Sequence, residues 1–366
     1  MDSPIHPGRA GHQSYQRHHQ LAATPAVAAP QVPHRLEQRL PPGHPLRPLL
    51  RLDSTLRGLT DSPVKVRRIE LNSTRVGRRN FLGAVAAAPF LSVFQQRSEP
   101  LNPLGLQLST IRSDLDRQFE RTLERVSVMG YREVEFYGYH GRSPQHVKDV
   151  LKANGLVGVS AHTGWNTLGD GWKEVVDTAV RVGHNHLVIN AMGPPLPPRE
   201  IGVWSRGADQ LNRAGEVCKA AGLRLAYHNH LFEFFPFLGD SRRPYDVLME
   251  ATDPALVAMQ MDLCWTVAAG EDPLQYFRRY PGRYLSVHVK DIKRLPAKQP
   301  DGSFVSVYSL YPDLCPVGQG LLDWARLLDA CKRAGIRHYF VEQDEPSAPM
   351  DSADASAKYL RGVRLG

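Results

Sequence analysis

Cysteine is scarce in this chain: Cys218, Cys264, Cys315 and Cys331 are the only four among 366 residues, with no C-x-x-C spacing. Such wide spacing provides neither a zinc knuckle nor a disulfide framework. Long hydrophobic runs are also lacking. The one candidate, residues 84–94, is too short to cross a bilayer, so no stable membrane insertion is expected. No G-x-G-x-x-G follows the first apolar run of the folded portion, which removes the usual signature of a dinucleotide-binding sheet. What is present is an ordinary soluble composition, 42% hydrophobic and 22% charged, enough for a sizeable core. The formal charge of +8 would suit a nucleic-acid partner if it covered a folded surface. Much of the excess instead lies before residue 80, as a basic tail, and no nucleic-acid partner is expected.

Residues 1–70 are rich in Pro, His, Arg and Gln and show no sustained apolar period. They cannot bury enough apolar surface to offset their chain entropy, which predicts a disordered extension. Residues 71–98 differ. Thr74-Arg-Val-Gly-Arg-Arg-Asn-Phe-Leu-Gly83 sets paired arginines ahead of a short, weakly hydrophobic segment. This resembles a twin-arginine export signal. It implies the twin-arginine export machinery as a partner and a periplasmic or exported location, or a cytoplasmic one if the signal does not function. Such signals normally lie near the start of a chain, so either the segment before the arginines is unusually long or the true start codon lies downstream of residue 1, the second being the expectation.

From residue 104 onward the pattern is regular. Apolar runs with strand character occupy 104–109, 133–137, 156–162, 186–190, 223–230, 257–263, 284–290 and 338–343. Stretches of helical period lie between them, at 115–129, 144–153, 172–182, 210–221, 244–250, 273–279 and 324–334. Gly130, Gly155, Gly183, Gly222 and Gly335 each follow such a stretch, where a left-handed cap turns the chain back toward a sheet. Eight strands alternating with helices over about 260 residues predict a (β/α)8 TIM barrel from residue 103 to the end. A doubly wound open sheet is the second choice of fold.

Four polar clusters end apolar runs in the last third: Ala226-Tyr-His-Asn-His230, Met261-Asp-Leu-Cys-Trp265, Val287-His-Val-Lys-Asp291 and Phe340-Val-Glu-Gln-Asp344. In a parallel barrel all C-terminal strand ends meet on one face, so these ligand-type side chains converge where a divalent cation is expected.

These clusters, with Pro316-Val-Gly-Gln-Gly320 and Asp323-Trp324, make the chain resemble the xylose-isomerase-like TIM-barrel superfamily of sugar (phosphate) isomerases and epimerases. The resemblance covers nearly the whole folded portion. It implies one Mn, Mg, Co or Zn ion held by His228, Asp262, His288 and Glu342. His228 departs from the commoner pattern, in which a Glu precedes the Asn-His pair. That loss puts symmetrical two-base epimerisation in doubt, with Glu233 as the group that would compensate; Glu233 or His230 is the substitute for His228 in the ligand set.

Glu342, Lys290 and His230 are the candidate catalytic groups; Lys290 follows His288 by two residues and so should face the same way. A salt bridge to Asp291 or Glu342 is the structural alternative for it. Glu135, His162, Trp165, Glu233 and Trp265 are candidate contacts for a small sugar or keto-sugar. The expected chemistry is proton loss next to a sugar carbonyl, giving an enediolate, with isomerase or epimerase outcome. The alternative is a lyase or dehydratase acting on keto-sugars or 3-keto-glycosides, and a second is a non-catalytic sugar-binding barrel. Hydrolysis of phosphodiesters by a three-metal cluster is disfavoured, because Trp265 stands where a further His ligand would follow the Asp. A monomer and a homo-oligomer are both left open.

Overall fold

Apolar runs with strand character become strands at Gly105–Gln107 (β1), Glu133–Phe136 (β2), Val157–Thr163 (β3), His186–Ile189 (β4), Arg224–His228 (β5), Val257–Asp262 (β6), Tyr284–Val289 (β7) and His338–Val341 (β8). The computed structural model describes residues 101, 103–192, 200–237, 239–297 and 306–365. The expected extension (1–70) and signal region (71–98) lie outside the described residues.

The strands are all parallel and close into a barrel in the order β1-β8-β7-β6-β5-β4-β3-β2. Closure needs a small residue at the seam. Gly105 pairs with Phe340, and a Cβ built there would lie 2.6 Å from the Phe340 ring. Helices cover the outside. In α1 (Arg112–Val128) the expected face of Leu115, Phe119, Leu123 and Val126 is buried. The capping glycines behave as the sequence predicts; Gly183 takes φ +97 after Trp172–Val182, where any side chain would be strained. The four cysteines are buried free thiols. Among the described residues no helix is long and apolar enough to cross a membrane.

Two layers follow from strand alternation. Outward-facing Leu106, Val134, Leu187, Leu225, Met259, Val287 and Tyr339 form the core against the helices. The lumen is different. Apart from a small patch of Val188, Ala226 and Ala258, its mouth-side positions are Glu135, His162, His228, Gln260, Asp262, Ser286, His288 and Glu342.

Beyond β7 the chain forms a two-residue antiparallel pairing of Asp291–Ile292 with Leu314–Cys315. The buried Asp291 carboxylate accepts from the backbone N–H groups of Ile292, Gly318, Gly320 and Leu322 and from Trp324 Nε1. This pins the loop at 316–320, which enters the next helix through Asp323, an N-cap accepting from Arg326 N–H at 3.1 Å.

Candidate metal centre

Each candidate ligand owes its aim to a local device. Asp262 ends β6 and caps the following helix, Leu263–Ala268. Its Oδ1 accepts from Trp265 N–H at 2.8 Å, which leaves Oδ2 for the lumen. At the end of β5 the side chains alternate: His228 and His230 face the mouth, with rings 5.1 Å apart. Asn229 turns away to bond Thr266 Oγ1 and the Asp262 N–H. Glu342 follows β8, and its Oε1 accepts from Ser109 Oγ at 3.0 Å.

Lys290 is fully buried, with Nζ 3.0 Å from Asp262 Oδ2, 2.7 Å from Glu342 Oε2 and 2.8 Å from Asp344 Oδ2. The salt bridge to Glu342 is therefore present and the one to Asp291 is not, because Asp291 is spent on its loop. The ammonium also lies 4.8 Å from the Trp265 ring centre. Burial disfavours its charge, but the three carboxylates outweigh this and hold it well above the usual lysine range. Burial pushes the Asp262 and Asp344 carboxyls up, with Lys290 opposing in each case.

His288 is gripped from both sides: Nδ1 lies 2.7 Å from Glu342 Oε2 and Nε2 lies 2.6 Å from Glu135 Oε1. Burial alone would lower its pKa. Glu342 and Glu135 reverse that, raising it to about 10. Glu135 is a hub. Its two oxygens also take Gln107 Nε2 at 2.8 Å, Ser160 Oγ at 2.5 Å, Gln260 Nε2 at 2.7 Å and His162 Nε2 at 3.0 Å. Burial raises its carboxyl, yet His162 and His288 hold it well below the usual range.

Two groups of side chains bring their ligand atoms within 4.8 Å of one another: Asp262–His288–Glu342 and His162–His228–His288. His228 Nε2 faces Asp262 Oδ2 at 4.0 Å, which ties the fourth candidate to the first group. Burial keeps the His228 pKa well below 6.5, so its imidazole is neutral. Fully ionised, Glu135, Asp262, Glu342 and Asp344 bring four negative charges against the two positive ones of Lys290 and His288. The protein alone relieves the excess by pushing Asp262 and Asp344 up; a divalent cation, even after displacing the proton of His288, would lower it further. Asp262 Oδ2 is buried and makes no hydrogen bond among the described residues, although it lies within ion-pair distance of Lys290. The residues present therefore fit a divalent ion.

Residues 123–363 match the model of the xylose isomerase-like TIM barrel family. The chain belongs to this family of enzymes. An inosose dehydratase of Lacticaseibacillus casei is 24% identical over 270 residues, covering 66% of this chain and 88% of its own. A sugar phosphate isomerase/epimerase from Parabacteroides distasonis has a similar fold, with TM-score 0.59 at 21% identity over 70% of this chain and 93% of its own. So does the IolI protein solved with a bound zinc atom, at TM-score 0.54 and 15% identity over 71% and 97%.

Several expected sugar contacts of this xylose isomerase-like barrel sit elsewhere than at an open wall. Glu135 is wholly buried, with both oxygens occupied, so it orients His288 rather than meeting a ligand. Glu233 folds back under β5, where Oε1 accepts from Tyr227 OH at 2.8 Å and Oε2 from His230 N–H at 2.9 Å. Burial pushes its carboxyl up to about 8. Trp265 is buried beneath Lys290. Trp165 is half-buried in the turn after β3, packed toward Gly207 of the Ile201–Ala220 helix. His162 remains at the mouth, stacked on His288 with ring centres 5.2 Å apart. His230 Nδ1 is buried without a hydrogen bond among the described residues. Gln107, Ser109, Ser160, Gln260, Ser286 and Asp344 were not singled out from the sequence. Strand alternation points to Ser160, Gln260 and Ser286, each two residues before a candidate already chosen.

Proposed function

We propose that the barrel mouth binds one divalent ion (Mn, Mg, Co or Zn) through His228, Asp262, His288 and Glu342. The chain then removes the proton next to the carbonyl of a keto-sugar or cyclic keto-polyol and expels a neighbouring hydroxyl as water. A bound divalent ion supplies a Lewis acid for a carbonyl and the hydroxyl beside it.

The observation that carries the choice of elimination is the unlike pair flanking the cluster. Burial and the nearby Lys290 push His230 down to about 3, so it is neutral at ordinary pH and accepts a proton on a bare ring nitrogen. Lys290 is held as a cation and can only donate. Epimerisation asks two groups to exchange the same role on opposite faces, whereas elimination asks for one acceptor and one donor. In the proposed step His230 takes the proton from carbon, and the C–H electron pair becomes the new C=C bond. The C–O bond breaks and the hydroxyl leaves with the Lys290 proton as water. Solvent then returns a proton from His230 to Lys290, so only water is lost overall. Similarity to an inosose dehydratase supports this outcome over isomerisation.

The test is incubation of metal-loaded protein with an inosose, a keto-sugar and a 3-keto-glycoside in heavy water. Loss of water from one of them, with deuterium exchange at the carbon next to the carbonyl, is the expected result. A product of unchanged mass in which the original hydrogen is fully retained would mean isomerisation by hydride shift and overturn the reading. Binding without turnover of any of them would leave the non-catalytic barrel.

We also propose export by the twin-arginine route, supported by Arg78, Arg79 and the short apolar run after them. Replacing both arginines by lysine should trap the protein inside the cell; unchanged export would refute the signal.

A further inference from the structure

Gln260 lies on β6, fully buried and facing the lumen, two residues before Asp262. Its amide meets four side chains from four other strands. Nε2 is 2.7 Å from Glu135 Oε2 on β2 and 2.9 Å from Ser286 Oγ on β7. Oε1 is 2.7 Å from His162 Nε2 on β3 and 3.0 Å from His228 Nδ1 on β5.

The orientation of this amide is fixed by chemistry. An ionised carboxylate only accepts, so the nitrogen must face Glu135; the reverse orientation would set two acceptor oxygens 2.7 Å apart. The oxygen must then face the two histidines. An amide oxygen also only accepts, so His162 Nε2 and His228 Nδ1 each carry a hydrogen. A neutral imidazole has one N–H. The lone pair of His228 therefore sits on Nε2, the nitrogen that faces Asp262 Oδ2.

We propose that Gln260 is a positioning residue that selects the His228 tautomer and so presents Nε2 to a metal ion. This rests on reading the cluster as a metal centre. The same amide steadies Glu135, which in turn holds His288 Nε2, so one buried residue orients two of the four proposed ligands. An ionised carboxylate at position 260 has no hydrogen to donate to Glu135, and a hydrocarbon side chain has no acceptor for the two imidazoles, whereas the amide supplies both.

The experiment uses the full chain, labelled with 15N-histidine and stripped of metal by chelation. Long-range 1H–15N spectra report which ring nitrogen of His228 carries hydrogen, with the signal assigned by its loss in His228→Gln. Zinc affinity is then measured by calorimetry on wild type and on Gln260→Met. The expected result is an Nδ1–H tautomer in wild type, loss of that preference in Gln260→Met, and zinc binding weakened by about 10- to 100-fold. Wild type that binds zinc but carries hydrogen on Nε2 overturns the inference without recourse to any variant. So does a folded Gln260→Met that keeps the Nδ1–H tautomer and binds zinc within about twofold of wild type. Wild type that binds none of Zn, Mn, Co and Mg overturns the metal-centre reading itself, an outcome told apart because the tautomer is read without metal.

Discussion

At the floor of the barrel, where the strands begin, His338 Nδ1 meets the two oxygens of Glu133 at 3.0 and 2.9 Å, and His186 lies across the axis with its ring 5.7 Å from His338. At the mouth, where they end, four carboxylates crowd around Lys290 and His288. Both places use histidine and carboxylate on inward-facing positions. The floor offers one acid for one paired imidazole, and burial lowers the His186 pKa to about 3, so that ring stays uncharged. Nothing there calls for a further cation. The mouth keeps acids in excess and a ring nitrogen aimed at them. Residue type alone does not mark a metal site. The balance of charge within one buried volume does.

The largest expected effect tests the mouth directly. Asp262→Ala or Glu342→Ala should lose the bound ion and lower kcat/KM by about 10³-fold, equivalent to about 4 kcal/mol, as read by elemental analysis and turnover. Cys264→Ala, on the neighbouring buried thiol, should retain about one ion per chain. Full metal occupancy in Asp262→Ala would erase the distinction between the two ends.

Next in size is Lys290→Met. The proposed donor is lost, so kcat should fall by about 10²- to 10³-fold with the ion retained. In the metal-free chain three carboxylates would lose their buried counter-charge, at a cost of about 3–5 kcal/mol in denaturant melts. Saturating Mn should restore part of that loss.

A smaller effect concerns pH. The His288 pKa is raised from 6.5 in the ordinary imidazole to about 10 in the folded chain. A raised folded pKa means its stabilisation is fully present below about 6.5 and drains away as pH rises through about 10. Melts of the metal-free protein should show this slope, and His288→Gln should flatten it. Metal affinity should run the other way over the same window, because an ion must displace a proton from this ring. A flat affinity profile would remove His288 from the ligand set.

The smallest effect is expected at the floor. His338→Gln should cost about 1 kcal/mol of stability and leave metal content and turnover unchanged. If metal binding fell with it, the two ends would be coupled and the comparison would need redrawing.

The sequence by itself determined the eightfold alternation, the capping glycines and the strand ends that carry His228, Asp262, His288 and Glu342. These rest on periods of two and 3.6 residues and on short-range capping, which each segment carries within itself. Where the apolar signal is faint it failed. The helix at Pro349–Gly362 buries Met350 and Leu360 near its ends but only Ser352, Ala353, Ser356 and Ala357 between them, so the middle of its stripe is weakly apolar, and its docking is completed by Ser352 and Ser356 bonding Gln343 Oε1 and Val317 N–H. The first half of Ile201–Ala220 went unread for lack of a clear period, and the short helix capped by Asp262 because its six residues, nearly all buried, run on from the apolar strand before it. Only the closed barrel decided that Glu135 would reach His288 from 153 residues away, that Gln260 would join five strands, and that Lys290 would choose Glu342 over Asp291. The contacts of Gln260 with Glu135 and His162, and of His288 with Glu135, cross the lumen between strands that are not consecutive in the chain, and no local period encodes which side chains meet on its axis.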